Sequence, residues 1–283
     1  MGFHPPKKIA SIAADLGKKK TELPLRSMLF LGFLGGAFIS LGFLLDIRVI
    51  GNLPENWGSF GTFLGASVFP LGLMLVVIAG GELVTGNMMA VSIACLSRKV
   101  TLNKLASNWF WITISNFIGA LFVAYVFGHL VGLTEHGPFL DKTVAIAQAK
   151  LDENFWQAFF SAIGCNWLVG LGMWLSYGSE EISGKILAIW FPIMAFVAIG
   201  FQHVVANMFL IPAAIFAGHF TWLDYLRNFI PVFLGNVVGG SLLVGFVYWF
   251  VYLAEGSPSD TPVPTKETTK SNINLRNMRE AEE

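Results

Sequence analysis

Charge is what this chain has least of. Only 13% of its 283 residues are Asp, Glu, Lys or Arg, and the formal net charge is zero. Without a basic excess there is no electrostatic footprint for a nucleic-acid backbone, so no nucleic-acid partner is expected. Cysteine is almost missing: Cys95 and Cys165 lie in apolar segments without CxxC spacing, which reads as core packing rather than redox or metal chemistry. The apolar runs contain no HExxH, DxxxD or GxSxG pattern, so an intramembrane enzyme would lack its metal set or nucleophile, and no cofactor is expected. The N-terminus carries lysines but no apolar core ahead of a small-residue cleavage site, so no signal peptide is expected.

What is abundant is apolar sequence: 54% hydrophobic residues and a mean hydropathy of +0.63, far from a soluble domain. Charge-free runs cover 27–45, 58–97 (interrupted by Glu82), 106–133, 154–179, 186–222 and 228–254. One crossing takes about 20 helical residues. The second and fifth runs are nearly twice that, so each is either a hairpin or a single crossing broken at its centre. Charge decides. Lys7, Lys8, Lys18, Lys19, Lys20 and Arg26 hold the N-terminus in the cytoplasm, and a single broken crossing puts Arg98, Lys99 and Lys104 on the same side. A hairpin would place that cluster outside. Six spans is the better reading, with Arg48, Lys142, Lys150 and Arg227 external.

The two long runs carry one motif twice. Gly80–Met89 reads GGELVTGNMM and Gly200–Phe209 reads GFQHVVANMF, an offset of 120 that continues through Ala94/Ala214, Thr101/Thr221, Asn108/Asn228, Asn116/Asn236 and Gly119/Gly239. The first spans agree at a longer offset, Phe30/Phe160, Leu41/Leu171 and Gly42/Gly172. Three spans per copy is odd, so the copies insert in opposite orientations. The expected fold class is an all-α membrane protein of six transmembrane helices, two inverted three-helix repeats with broken second and fifth spans. The expected organisation is an amphipathic cytoplasmic segment over 1–26 (Ile9, Ile12, Ala13 and Leu16 on one face), a transport domain over 27–254 with repeats 27–133 and 154–254, and a polar, disordered cytoplasmic tail over 255–283.

A helix broken inside a membrane exposes N–H and C=O groups that must line a cavity or find side-chain partners. Asn87 and Asn207 are suited to cap the restarted half-helices, whose N-termini attract anions. His203 is the only histidine in the middle of a span, and with a second broken helix in the other repeat it reads as lining a path. Glu82 reads as a structural partner of the loop backbone, with proton carriage as the alternative.

Glu82-Leu83-Val84-Thr85-Gly86-Asn87 and Phe201-Gln202-His203-Val204-Val205-Ala206-Asn207-Met208 resemble the second-span loop and fifth-span signature of the formate/nitrite transporter family, over roughly residues 5–255. Asn166 after Cys165, and Phe69, also stand where that family has them. The resemblance implies an aquaporin-like fold assembled as a homopentamer, one path per subunit, moving small monovalent anions or their acids. It makes His203 and Thr85 the centre of the path, flanked by Gln202, Glu82, Asn87 and Asn207. Phe69, Leu73, Leu83, Val84, Val169 and Phe196 become apolar constrictions, with Lys150 and Asn166 attracting the anion. Two positions depart: Gln202 where many members have glutamate, and Val84 where many have phenylalanine. The expected function is transport of formate by a proton-coupled or neutral-acid route through a multi-pass protein of the plasma (inner) membrane, with both termini cytoplasmic and lipid around it. Nitrite, hydrosulfide or lactate are the alternatives. A water or glycerol channel is disfavoured because no Asn-Pro-Ala box and no filter arginine occur.

Overall fold

The computed structural model describes residues 2–254, so the expected disordered tail lies outside the described residues. The described residues form helices in two successions of the same form. The first is α1 (Pro6–Thr21), α2 (Leu25–Ile50), α3 (Ser59–Gly80), α4 (Val84–Leu96) and α5 (Leu102–Leu130). The second is α6 (Gly137–Leu151), α7 (Phe155–Tyr177), α8 (Ile182–Ile199), α9 (Val204–Phe216) and α10 (Trp222–Tyr252). Six of these helices, α2, α3, α5, α7, α8 and α10, are long and apolar enough to cross a membrane. The long second and fifth runs are interrupted helices, α3–α4 and α8–α9, and not hairpins.

Local sequence explains where the helices begin. Thr101 caps α5 by accepting from the Lys104 N–H, and its repeat partner Thr221 caps α10 in a box closed by Asp224. Asn154 and Gln157 form the equivalent box on α7. The interruptions begin at Gly80 and Gly200, whose φ angles of 100° and 87° leave the helix in the left-handed region that glycine tolerates.

The half-helices α4 and α9 are the core. Each has 13 residues, about 20 Å, short of a bilayer's roughly 30 Å, and Val84–Ala94 and Val204–Ala214 are buried on every face. Each packs against the last helix of the other repeat, α4 on α10 and α9 on α5, which locks the two copies together. Around them α2 lies against α5 and α7 against α10 at backbone-to-backbone range. A Cβ on Gly36 would stand 1.9 Å from the Asn116 carbonyl oxygen; one on Gly119 or Gly239 would stand 1.9 Å from that of Phe33 or 2.4 Å from that of Ile163.

The repeat reaches further than the three spans expected. The amphipathic face of the N-terminal segment packs into the fold: α1 buries Ile9, Ala10, Ala13 and Gly17 against α4, and α6, a helix not foreseen in the linker, lies against α9 in the same way. Lys20 and Lys150 end these two helices at matching positions.

Gly36→Ala tests the close approach. It should destabilise the solubilised protein by about 1–3 kcal/mol, the usual overpacking range, whereas Gly86→Ala, which meets only the flexible Met173 side chain at 3.4 Å, should cost much less. Thermal unfolding of the two variants side by side checks the order.

Candidate functional site

The chain leaves the helix over residues 81–83 at the first break and 200–203 at the second, and restarts at Val84 and Val204. Asn87 and Asn207 were expected to cap the restarts. They do not: their Oδ1 atoms have no partner. The caps come from the third spans. Asn116 accepts from the Val84 N–H at 2.9 Å while its amide donates to the Gly32 and Glu82 carbonyls at 2.7 and 2.8 Å. Asn236 repeats this with the Val204 N–H at 2.9 Å and the Ala162 and Gln202 carbonyls at 2.8 and 3.1 Å. One amide thus ties the loop, the half-helix and the neighbouring span, satisfying groups that would each cost about 1–3 kcal/mol if orphaned.

A second polar layer brackets each loop. Asn87 Nδ2 donates to Glu82 Oε2 at 2.8 Å and to Asn108 Oδ1 at 3.0 Å. Asn207 Nδ2 donates to Gln202 Oε1 at 2.7 Å and to Asn228 Oδ1 at 2.8 Å. Asn108 and Asn228 reach on to the Lys20 and Lys150 carbonyls, both at 3.1 Å. The lysines differ. Lys20 pairs with Glu82 at 2.8 Å, so Glu82 is held by side chains and not by the loop backbone as expected. Lys150, facing Gln202, gives two of its protons to the Gly200 and Phe201 carbonyls at 2.5 and 3.0 Å. Desolvation on this buried side pulls the Lys150 pKa below the usual lysine range.

Between the layers the two half-helix N-termini meet. Thr85, in the first turn of α4, lies with its Oγ1 3.0 Å from His203 Nε2, and His203 caps α9 by accepting the Ala206 N–H on Nδ1 at 3.1 Å. That bond fixes the tautomer: the neutral ring carries its proton on Nε2 and donates it to Thr85. Two positive helix ends therefore converge on one buried imidazole–hydroxyl pair.

Aromatic rings close the space beside it. Phe196 stacks on the imidazole with centroids 5.6 Å apart, Phe69 stands edge-on to Phe196 at 5.6 Å, and Phe43 backs Phe69 at 5.4 Å. The structure gathers Phe69, Leu73, Leu83, Val169, Phe196 and His203 around one void of about 10 Å³, scarcely room for a water. This is a closed state. Val84 is buried beside it, its N–H engaged by Asn116. A larger cavity of about 280 Å³ opens from the α6 side and ends on Phe69, Phe196, His203 and Asn207, with Lys142 and Lys150 in its wall. Asn166 was expected to attract the anion. Instead its amide donates to the Asn236 and Thr85 carbonyls at 2.6 and 3.3 Å, leaving only an unpaired acceptor.

Asn108, Asn116, Asn228 and Asn236 are the working residues that sequence reasoning left without a role, although their pairing at the 120 offset marked them. Asp46, in the wall of the larger cavity, gave no signal because it sits where the first apolar run ends.

Two inverted helix breaks meeting at a dry waist, inside a bundle of membrane-length helices, are the architecture of a membrane transport protein. The chain belongs to the formate/nitrite transporter family, whose model matches residues 7–250. It is 64% identical over 252 residues to a Bacillus subtilis protein described as the uncharacterized transporter YrhG, covering 89% of this chain and 95% of that one. It is 61% identical over 257 residues to the formate channel BtFdhC of Bacillus thuringiensis, covering 91% and 99%. Among solved structures it resembles a pentameric formate channel with formate bound, with a TM-score of 0.73 and 30% identity over 81% of this chain and 98% of that one.

Two outcomes follow from the site. Asn116→Leu orphans the Val84 N–H and the Glu82 carbonyl, the Gly32 carbonyl keeping its bond within α2, and should lower unfolding stability by at least about 2 kcal/mol, at roughly 1 kcal/mol or more for each, seen as an early thermal transition. Nitrogen-15 spectra of labelled His203 near neutral pH should show the Nε2–H tautomer; an Nδ1–H signal would contradict the Ala206 bond.

Proposed function

We propose that the protein carries formate across the plasma membrane together with a proton, as the neutral acid, through one path in each subunit of a homopentamer. The observation that carries this reading is the meeting of two half-helix N-termini on the Thr85–His203 pair behind a shutter too small for a hydrated ion. The helix ends and the free proton of Lys150 draw an anion to the mouth. Phe69, Leu73, Leu83, Val169 and Phe196, crowded around one void beside the pair, with Val84 buried next to them, bar it while it is charged. The match to a formate channel at 61% identity, and the likeness to a pentameric channel holding formate, support the substrate and the assembly. The basic N-terminal segment supports a cytoplasmic N-terminus.

Magnitudes favour the neutral species. Protonating a carboxylate of pKa about 4 at pH 7 costs roughly 4 kcal/mol. Forcing a bare charge through a bilayer centre costs about 3 kcal/mol where water follows it and more than roughly 10 kcal/mol where none does. The closed void of about 10 Å³ admits no hydration shell, so against the closed waist the dry limit applies and the acid is cheaper. The side chains of the shutter must still move aside, and they are held by packing alone.

Labelled formate uptake into proteoliposomes should alkalinise the bath and steepen with an inward proton gradient. Thr85→Val and His203→Ala should each cut the flux at least about tenfold, the effect of some 1.4 kcal/mol at the waist. A panel including nitrite, lactate, sulfide and glycerol ranks the substrates. Glycerol or water permeating better than every anion would overturn the reading.

A further inference from the structure

The larger cavity contains a carboxylate that nothing above employs. Asp46 lies near the end of α2, 4% exposed, and its Oδ1 has no hydrogen-bond partner. It is seated there by a notch in α3: a Cβ on Gly65 would stand 2.0 Å from that oxygen. At the matching position of the second repeat, Ser176 closes its own hydroxyl on the Met173 carbonyl at 2.7 Å, so an acid at this position is peculiar to the first repeat. The same chamber is walled by Lys142 and Lys150, and at its inner end lie Phe69 and Phe196 of the shutter with His203 beside them.

The groups around Asp46 can be named element by element. α6 contributes Lys142 and Lys150, the second break contributes His203, and α3 contributes no ionisable side chain. On α2 itself Arg48 is turned away, over the Phe139 ring at 3.4 Å and onto the Leu133 carbonyl at 3.2 Å. Asp46 is therefore the only carboxyl lining the chamber, among the described residues.

An anion drawn in by the two lysines must gain one proton before the shutter. His203 is badly placed to supply it. Its Nε2 proton is shared with Thr85, and loading Nδ1 would orphan the Ala206 N–H. An ionised carboxylate with an empty, buried oxygen is costly, and a proton or a ligand hydroxyl is the occupant that relieves it. We propose that Asp46 is the proton-exchange residue of this chamber, passing its carboxyl proton to the substrate carboxylate just outside the aromatic shutter. The assignment rests on the proton-coupled reading above. The O–H bond of Asp46 breaks as the O–H bond of the acid forms, with no change of oxidation state. The Asp46 carboxylate left behind faces Lys142 and regains a proton from water at the mouth. Efflux runs the same exchange backwards, and Asp46 takes the proton from the emerging acid.

The test is the shape of a pH profile, measured on the full-length protein in liposomes with labelled formate outside. The bulk acid falls tenfold per pH unit well above its pKa. Wild-type influx should stay nearly level over the range in which Asp46 remains protonated, because the donor travels with the protein. D46N, which keeps the side chain's shape, should follow the bulk acid. Its influx should fall about tenfold per unit, near wild type at the acidic end and at least tenfold below it at the alkaline end. D46E should restore the level shape even if its height is lower. D46S, carrying the residue of the second repeat, stands in should the asparagine variant fail to insert. A structural role alone would lower every point by one factor. D46N and D46S profiles parallel to a wild type that does take up protons would overturn this assignment and leave the transport reading intact. Wild-type formate flux with no proton uptake would overturn both.

Discussion

Everything in this molecule depends on how the backbone polar groups freed at two helix breaks are satisfied without water. In hydrocarbon an orphaned N–H or C=O is worth several kcal/mol, enough to close the break or unfold the half-helix. Asn116 and Asn236 resolve this by placing one amide where a restarting N–H, a loop carbonyl and a carbonyl of the first span converge. That geometry demands that α2 and α5, and α7 and α10, touch backbone to backbone. The glycines at 36, 119 and 239 are therefore part of the same device. Packing, capping and the existence of a path are one constraint.

Duplication supplies the frame, and departures from it supply the chemistry. Position for position, Leu83 faces His203 and Thr85 faces Val205, so one polar pair sits at the centre where strict symmetry would give two or none. Glu82 against Gln202 leaves Lys20 neutralised by a carboxylate and Lys150 held only by carbonyls. Asp46 against Ser176 puts an acid near the end of the first span in one repeat alone. A symmetric scaffold makes the conduit, and single side chains give it an inside and an outside.

The waist combines features that oppose each other. Converging helix ends favour negative charge, while the rings of Phe69 and Phe196 and the near absence of free volume forbid a hydrated ion. Attraction without passage is what a site needs if the permeant must change its protonation state on the way.

Much was legible in the residues. The apolar runs, the scarcity of charge and the lysine clusters set the six spans, because the cost of burying charge in lipid leaves few parses. The twin motifs at a fixed offset established the duplication and the breaks, since inversion follows from an odd number of spans. What the sequence could not show was which amide does which work. Asn87, Asn116, Asn207 and Asn236 are alike as letters, yet of the four only the third-span pair reaches the free N–H groups, because these amides cap across helices, while the one local cap, on α9, is the His203 ring. The same holds for α6, which its polar composition hid among loop residues, and for Asp46. Along the chain Asp46 is a charge at the edge of an apolar run. Its burial in a notch on α3, facing the chamber, exists only once three helices have closed around it.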